Sequence, residues 1–273
     1  MLAGFDNCIE KALHRPVVYA HRGGALLWPG NTTLAFDEAL KVGADVLEMD
    51  VRATSDGAIV VIHNRTVDET TDGSGPVSGY TLEDLQELDA GYRFGPDKFP
   101  HRGKGLKIPT LEYIFERYKD QDVCMNIEIK QIRPSIVDQF CELVKKHNMT
   151  DRILVASFYT SVVKQIKEKL PQVATSAGTR QLFVFYLLNL FRLTRRYRLS
   201  VRTLQFWSRV GPFPIITKSL VRAAHQLNFE IHGWTVNEPT EMRRLIGLNV
   251  DAIITDDPIT LIDEIKQAAS RND

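Results

Sequence analysis

The stretch Val17-Val18-Tyr19-Ala20-His21-Arg22-Gly23-Gly24 decides how the rest of the chain is interpreted. Its first four residues are apolar, as expected of a strand that is buried on both faces. A histidine and an arginine follow directly, so polar chemistry stands at the end of a buried strand. Eight further apolar runs follow along the chain, with helical patterns between most of them. This alternation predicts βα units around a parallel sheet.

The predicted elements cover most of the chain. Strands are expected at residues 17–20, 46–51, 58–62, 123–129, 153–157, 173–177, 203–206, 230–236 and 252–255. Helices are expected at residues 33–42, 81–89, 110–118, 135–146, 161–170, 219–227, 239–248 and 258–269, the first with Asn31 as its N-cap. About eight βα units favour a closed (β/α)8 barrel as a single domain, residues 1–273. An open doubly wound sheet is the alternative, although Gly23-Gly24 fits neither nucleotide-binding glycine motif.

The composition indicates which partners the protein binds and in which cellular compartment it resides. Lysine plus arginine and aspartate plus glutamate both number 34, and this balance argues against broad attraction to nucleic acid. Cys8, Cys124 and Cys141 lie far apart, so we expect thiols in a reducing compartment rather than a metal knuckle or a disulfide framework. No secretory signal is visible, and no run reaches the roughly 18–20 apolar residues that span a bilayer. We therefore expect a cytoplasmic protein.

Two carboxylates on one predicted strand indicate a metal site. Glu48 and Asp50 are two residues apart, so both side chains point to the same face of the strand. If that face looks into a barrel, unpaired acids are costly, and a hard cation such as Mg²⁺ or Ca²⁺ removes the cost. Glu128, in another strand-like run, is a candidate third ligand. The alternative is a metal-free ion cluster in which Arg22 or Lys130 neutralises these acids.

Two histidines also stand at predicted strand ends. His21 follows the first strand and His63 follows the run at 58–62. A single histidine in such a place is more often a hydrogen-bonded core residue. Two at strand ends, where barrel active sites gather, favour proton transfer, for which a pKa near neutrality is suited.

Taken together, these motifs resemble the glycerophosphodiester phosphodiesterase family, in the same order from His21 to Pro258. The matching segments are His21-Arg22-Gly23-Gly24, Asn31-Thr32, Glu48-Met49-Asp50-Val51, Thr54-Ser55-Asp56-Gly57, His63, Thr70-Thr71-Asp72-Gly73-Ser74-Gly75, Ile108-Pro109-Thr110-Leu111, Glu128-Ile129-Lys130, Trp234-Thr235-Val236-Asn237 and Thr255-Asp256-Asp257-Pro258. The resemblance implies a TIM barrel with a small inserted subdomain after the strand that ends at His63. The irregular stretch at about 64–108 fits that insertion.

The resemblance also implies roles for the site residues. A divalent metal would bind Glu48, Asp50 and Glu128. The general acid and base would be His21 and His63, in an order that the sequence leaves open. Arg22 and Lys130 would contact the phosphate, and Trp234 would line the pocket for the glycerol moiety.

The chain departs from the family pattern at two positions. Gly30 stands where the family has a glutamate, and Asn64 stands where it has an aspartate. Neither lost acid is an expected metal ligand. In the family, either acid could contact the histidines or the metal ligands without binding the metal itself. We therefore expect the two departures to affect metal affinity and the pKa values of the histidines.

A final segment, residues 181–198, is apolar and then basic. Ten mostly aromatic and aliphatic residues precede Arg192, Arg195, Arg196 and Arg198. It is too short to span a membrane. Two interpretations remain open: a buried barrel helix with a basic end, or an element in peripheral contact with anionic lipid.

The sequence as a whole predicts metal-dependent hydrolysis of glycerophosphodiesters to sn-glycerol 3-phosphate and an alcohol. The attacking group is either water or the 2-hydroxyl of the substrate. One alternative is a lysophospholipase-D-like enzyme at a membrane surface. Another is a non-catalytic barrel that binds a phosphorylated ligand. A glycosidase fits poorly, because Glu48 and Asp50 lie on one strand rather than across a sugar bond.

Overall fold

A ring of eight parallel strands forms the centre of the molecule. The computed structural model describes residues 5, 8–10, 12, 15–95 and 97–271. The strands of the ring, in chain order, are β1 Val17–Ala20, β2 Val46–Ala53, β4 Cys124–Ile129, β5 Ile153–Ala156, β6 Ala174–Thr175, β7 Thr203–Trp207, β10 Glu230–Trp234 and β11 Ala252–Thr255. Three short strands lie outside the ring: β3 Ile59–Val61, β8 Arg209–Val210 and β9 Phe213–Pro214.

The order of the strands closes the ring. Neighbours run β6-β5-β4-β2-β1-β11-β10-β7, and β1 pairs with both β2 and β11. A parallel bridge between Ser176 and Thr203 joins the two ends, and the amide of Ala177 donates to the carbonyl of Thr203 at 3.0 Å. The closed (β/α)8 barrel is therefore confirmed over the open sheet.

Helices follow the strands and pack around the ring. They are α1 Thr33–Val42, α2 Leu82–Gln86, α3 Leu111–Arg117, α4 Val137–Lys146, α5 Thr160–Lys169, α6 Thr179–Leu190, α7 Lys218–His225, α8 Pro239–Gly247 and α9 Pro258–Ala269. The N-cap of α1 is Thr32, whose hydroxyl accepts from the amide of Ala35 at 3.2 Å. The prediction of Asn31 as the cap was wrong, because the Asn31 amide group binds Asp50 instead.

The chain between β3 and α3 folds over the mouth of the barrel. β3 runs antiparallel to the end of β2, with Val51 opposite Val61. A 3-10 turn at Val77–Gly79 and helix α2 follow. Buried side chains of this segment, including Val67, Val77 and Leu85, form an apolar cluster of their own. The segment is therefore held in place by packing as well as by backbone pairing.

A disulfide bond joins Cys8 to Cys124 in β4, across 116 positions of sequence. The expectation of three thiols was wrong for this pair, and Cys141 is a buried free thiol. Cys124 belongs to the cluster inside the ring, with Tyr19 and Leu154, and Phe5 joins the same cluster. The disulfide bond therefore links Cys8, near the start of the chain, to the interior of the barrel. The cytoplasmic location of the protein remains a prediction.

Helix α6 contains the apolar half of the segment at 181–198. Phe185 is fully buried, whereas Phe183, Leu187 and Leu190 face solvent. The helix is thus partly a barrel helix and partly an exposed apolar surface. Within the described part of the chain, no helix has the length and apolarity needed to cross a lipid bilayer.

Candidate active site

The barrel brings the predicted site residues to one mouth. In the pairing of β2 with β4, Asp50 lies opposite Glu128 and Glu48 lies opposite Asn126. His21 follows β1 directly. His63 does not follow a strand of the ring. It lies two residues after β3, which pairs antiparallel with the end of β2 at the mouth. All these positions lie toward the carboxyl ends of the parallel strands, where barrel enzymes place their sites.

The turn after β1 requires an unusual backbone. Arg22 adopts a left-handed conformation with φ at 52°, and Gly23 follows with φ at 83°. A Cβ atom at Gly23 would lie only 2.8 Å from the backbone of Ala35 in α1. Glycine is needed at this position for both reasons, conformation and space. The turn directs the backbone amide of Arg22 at Glu48, with 2.9 Å between the amide nitrogen and Oε2.

Three carboxylates form a compact set of oxygen donors. One oxygen each from Glu48, Asp50 and Glu128 lies within 4.8 Å of the others. Glu48 and Asp50 are buried, and Oε1 of Glu128 is a buried atom without a hydrogen-bond partner among the described residues. Such an atom is costly unless it has a ligand. Hard oxygen donors in this arrangement fit a divalent cation.

Two cations stand beside the same carboxylates. Nζ of Lys130 lies 3.0 Å from Oδ1 of Asp50 and 2.8 Å from Oε2 of Glu128. Nε of Arg22 lies 3.2 Å from Oδ2 of Asp50. The ion cluster that the sequence allowed is therefore present. It does not exclude a metal, because Oε1 of Glu128 has no hydrogen-bond partner in the described part of the chain.

The two acids of β2, Glu48 and Asp50, have very different pKa values because their electrostatic surroundings differ. Burial raises the pKa of Glu48 to about 7, and the neighbouring charge of Asp50 adds to this effect. Burial acts in the same direction on Asp50, but Lys130 and Arg22 outweigh it and hold the Asp50 pKa at about 2. Asp50 is therefore the more acidic of these two carboxyl groups.

The two histidines have different partners. Nδ1 of His21 donates to Oδ1 of Asp256 at 2.6 Å, and Nε2 lies 3.9 Å from Oε2 of Glu48. Burial lowers the His21 pKa, yet Glu48 and Asp256 outweigh burial and leave the pKa raised. Nδ1 of His63 bonds to Oδ1 of Asn64. Burial lowers the His63 pKa, although Asp50 opposes the shift.

A cavity of about 40 Å³ lies on the His21 side of the carboxylates. Glu48, Glu128, Phe158 and Trp234 are among the residues that line it. The indole nitrogen of Trp234 donates to the carbonyl of Gln205 at 3.0 Å, and this bond fixes the ring at the cavity wall. The volume corresponds to about three water molecules, at roughly 10–15 Å³ each.

Comparisons with known proteins agree with this geometry. The model of the glycerophosphoryl diester phosphodiesterase family matches residues 21–260. The chain belongs to this family. It is 36% identical to a glycerophosphodiester phosphodiesterase of Caldanaerobacter subterraneus subsp. tengcongensis over 93% of this chain and 99% of that one. A relative of the same name from Bacillus altitudinis is 30% identical over 88% and 94% of the two chains.

Solved structures show the same fold. A phosphodiesterase of Oleispira antarctica, solved in complex with the product sn-glycerol-3-phosphate, superposes with a TM-score of 0.78 at 24% identity. The match covers 92% of this chain and 97% of that one. Membership of the glycerophosphoryl diester phosphodiesterase family also confirms the predicted enzyme class, a glycerophosphodiester phosphodiesterase.

Three polar residues of this family member join the site although the sequence analysis gave none of them a role in the site. Asp256 holds His21, and the side chain of Asn237 donates to Oδ2 of Asp256 at 2.8 Å. Asn31 donates to Oδ2 of Asp50 at 2.9 Å. All three lie in segments that match the family, so the sequence did mark them as candidates. Their roles could not be predicted, because their hydrogen-bond partners are distant in sequence.

Proposed function

We propose that the protein hydrolyses glycerophosphodiesters to sn-glycerol 3-phosphate and a free alcohol, with a divalent metal and two histidines. The observation that carries this proposal is the placement of two imidazoles around one set of three carboxylates. His21 approaches the set from the side of Glu48, and His63 stands on the side of Asp50, Arg22 and Lys130, whose charges act on it. Phosphodiester hydrolysis needs one proton acceptor and one proton donor at a charged phosphate, and this site provides both.

The ligands of the metal would be Glu48, Asp50 and Glu128, and the metal would be Mg²⁺ or Ca²⁺, since every donor is a carboxylate oxygen. A bound divalent ion supplies Lewis acidity and neutralises charge on the phosphate oxygens. Asn31 orients Asp50 for this purpose, because its side chain donates to Oδ2 and its Oδ1 accepts from the Asp50 amide.

The two histidines would move the protons. Asp256 holds the proton on Nδ1 of His21, so Nε2 is the atom that faces the site. Asn64 similarly engages Nδ1 of His63. One imidazole takes the proton of the attacking water or 2-hydroxyl, and the other gives a proton to the leaving oxygen. Both attacking groups remain compatible with this arrangement.

Arg22 and Lys130 would bind the phosphate. Each already contacts Asp50, so a bound phosphate would share two cations with that carboxylate. Arginine offers a planar pair of donors and lysine a point charge. Their fixed positions stabilise charge that develops on the phosphate oxygens during the reaction. The product bound by the Oleispira antarctica relative supports sn-glycerol 3-phosphate as the product here.

Activity on two substrates tests the proposed reaction. Purified protein would be given glycerophosphocholine or lysophosphatidylcholine, each with Mg²⁺, with Ca²⁺ or with a chelator. The proposal predicts release of sn-glycerol 3-phosphate from glycerophosphocholine in one or both metals. Release of phosphocholine instead would show cleavage of the other phosphoester bond and would contradict the proposal.

A second candidate function, hydrolysis of lysophospholipids at a membrane surface, is favoured by exposed apolar side chains on α6 and in the chain from β7 to β9. Phe183, Leu187 and Leu190 form a stripe along α6 and are 61%, 37% and 58% exposed. Trp207 and Phe213, in and after β7, are 48% and 72% exposed. We call these five side chains the apolar rim. Large apolar side chains exposed to solvent in this way are typical of a contact surface.

The charge around the apolar rim suits anionic lipid. Between Glu168 and Glu230 the chain has no acidic residue. The cations in this interval are Lys169, Arg180, Arg192, Arg195, Arg196, Arg198, Arg202, Arg209, Lys218 and Arg222. Lys169, Arg202 and Arg209 pair with acids elsewhere. A stretch of sequence that is rich in cations, contains no acid and includes exposed apolar side chains favours peripheral binding to anionic bilayers.

The apolar rim is continuous with the cavity on the His21 side. Leu182 of α6 lines that cavity together with Phe158 and Trp234. The rings of Phe158 and Trp234 are 5.5 Å apart, and Trp207 of the rim lies 5.3 Å from Trp234. An acyl chain on the glycerol moiety would therefore find apolar contacts from the cavity to the surface.

A further inference from the structure

A second and larger cavity lies on the opposite side of the carboxylates. Its volume is about 420 Å³, roughly ten times that of the cavity lined by His21. One wall is the loop after β1, from Ala25 to Asn31, and the other belongs to the segment between β3 and α3. Arg22, His63 and Asn64 stand where the cavity meets the carboxylates.

We propose that this space, here called the leaving-group cavity, binds the alcohol that the reaction releases, and that it favours an uncharged polyol headgroup over an ammonium headgroup. The inference rests on the proposed function. Beyond that function, it assigns each half of the substrate to one side of the site and states which class of alcohol the enzyme prefers.

The geometry of the two cavities assigns the two halves of the substrate. A phosphate that contacts Arg22 and Lys130 stands between the cavities, because Arg22 lines the larger one and Glu128, the partner of Lys130, lines the smaller one. The cavity beside Trp234 is the smaller of the two, at about 40 Å³, so we assign to it the glycerol moiety that all the substrates share and assign the variable alcohol to the larger cavity. The second substituent of the phosphate must then extend toward His63. His63 is accordingly the imidazole next to the leaving oxygen.

The lining of the leaving-group cavity offers both donors and an acceptor. Arg93 contributes a guanidinium group, and Glu69 contributes a carboxylate. Nε of Arg93 donates to the carbonyl of Thr71 at 3.1 Å, which holds the side chain in place. Neither Arg93 nor Glu69 has an ion-pair partner among the residues that the structure describes. Hydroxyl groups can bond to both side chains, because a hydroxyl both donates and accepts.

The charge of the cavity disfavours an ammonium group. Glu69 is the one carboxylate among its lining residues, and Gly30 and Asn64, which also line it, carry no charge. Arg22 and Arg93 stand in the same lining. A quaternary ammonium group would meet two guanidinium groups and could not donate a hydrogen bond to Glu69.

Competing substrates with a common glycerol moiety test the assignment. The protein with Mg²⁺ or Ca²⁺ would be given glycerophosphoinositol, glycerophosphoglycerol and glycerophosphocholine, and kcat/KM would be compared. We expect the two polyol substrates to exceed glycerophosphocholine. Glu69→Gln should lower kcat/KM for the polyols about five-fold, the scale of one hydrogen bond, and leave glycerophosphocholine within two-fold. Arg93→Gln should raise the ratio of glycerophosphocholine to glycerophosphoinositol by about the same factor.

Arg271→Gln is the matched control, because Arg271 is an exposed cation after α9, outside the lining of this cavity. It should leave all the ratios unchanged, and equal melting temperatures should show that each variant is folded. If wild type is active but Glu69→Gln and Arg93→Gln change all substrates by one common factor, the leaving-group cavity is wrongly assigned and the proposed function stands. If wild type releases sn-glycerol 3-phosphate from none of the three substrates, the proposed function itself fails.

Discussion

Nδ1 of His21 lies 2.6 Å from Oδ1 of Asp256, although 235 positions of sequence separate the two residues. The contact is possible because β1 and β11 are neighbours in the ring, with Ala20 opposite Thr255. Asn237 donates to the other oxygen of Asp256 and fixes the carboxylate. Asp256 therefore acts as a positioning residue, since it holds one tautomer of the imidazole that faces the site.

Replacement of Asp256 by Asn should change the pH dependence of the reaction as well as its rate. Asp256 is one of the charges that raise the His21 pKa, so its loss should lower that pKa. The limb of the kcat profile that His21 governs should then move to lower pH, whether His21 is the acid or the base. A lower rate with an unmoved profile would indicate that Asp256 has a purely structural role.

Loss of either imidazole should lower kcat by about 10²–10⁴-fold, the usual scale for a general acid or base. His21→Ala and His63→Ala would be measured with saturating metal and checked for folding by circular dichroism. His225→Ala is a suitable control, because His225 pairs with Asp251 away from the mouth. Near wild-type turnover in either site variant would remove that histidine from the mechanism.

Asn64→Asp should shift the limb of the pH profile of kcat that His63 governs. Nδ1 of His63 already bonds to Asn64, so an aspartate would place a negative charge beside the ring. The charge should raise the His63 pKa, which burial now holds below its usual value, and move the limb that His63 governs to higher pH. An unchanged profile and an unchanged metal requirement would mean that the departure from the family at this position is neutral.

The apolar rim should govern access to lipid. The double variant Phe183→Ser/Leu187→Ser should reduce sedimentation with anionic vesicles and activity on lysophosphatidylcholine, while activity on glycerophosphocholine is retained. The matched control is Tyr113→Ser, since Tyr113 is 50% exposed on α3, outside the rim. If both substrates lose activity together with a fall in melting temperature, α6 serves only the core of the protein.

Much of this architecture is readable from the sequence. The apolar runs at 17–20 and 252–255 are strands with the predicted bounds, because strands buried on both faces admit few polar residues. The hairpin of β8 and β9 was not predicted. Its four strand residues are all exposed, so no burial pattern marks them.

The site is readable in part. Glu48, Asp50 and Glu128 were expected together, and the register of β2 with β4 brings them together. The roles of Asp256 and Asn31 and the Cys8–Cys124 bond depend on contacts between distant segments. Periodicity along a chain carries no information about such pairs, and only the closed ring of strands specifies them.

The rate of sn-glycerol 3-phosphate release before and after removal of metal tests the central claim most directly. Wild-type protein treated with chelator should lose its activity, and added Mg²⁺ or Ca²⁺ should restore it. Glu128→Gln removes the charge of a proposed ligand, whose Oε1 has no hydrogen-bond partner among the described residues, and should not recover at the metal concentration that restores wild type. Full activity in the presence of chelator would contradict the account, because the three carboxylates and their two cations would then form a metal-free ion cluster.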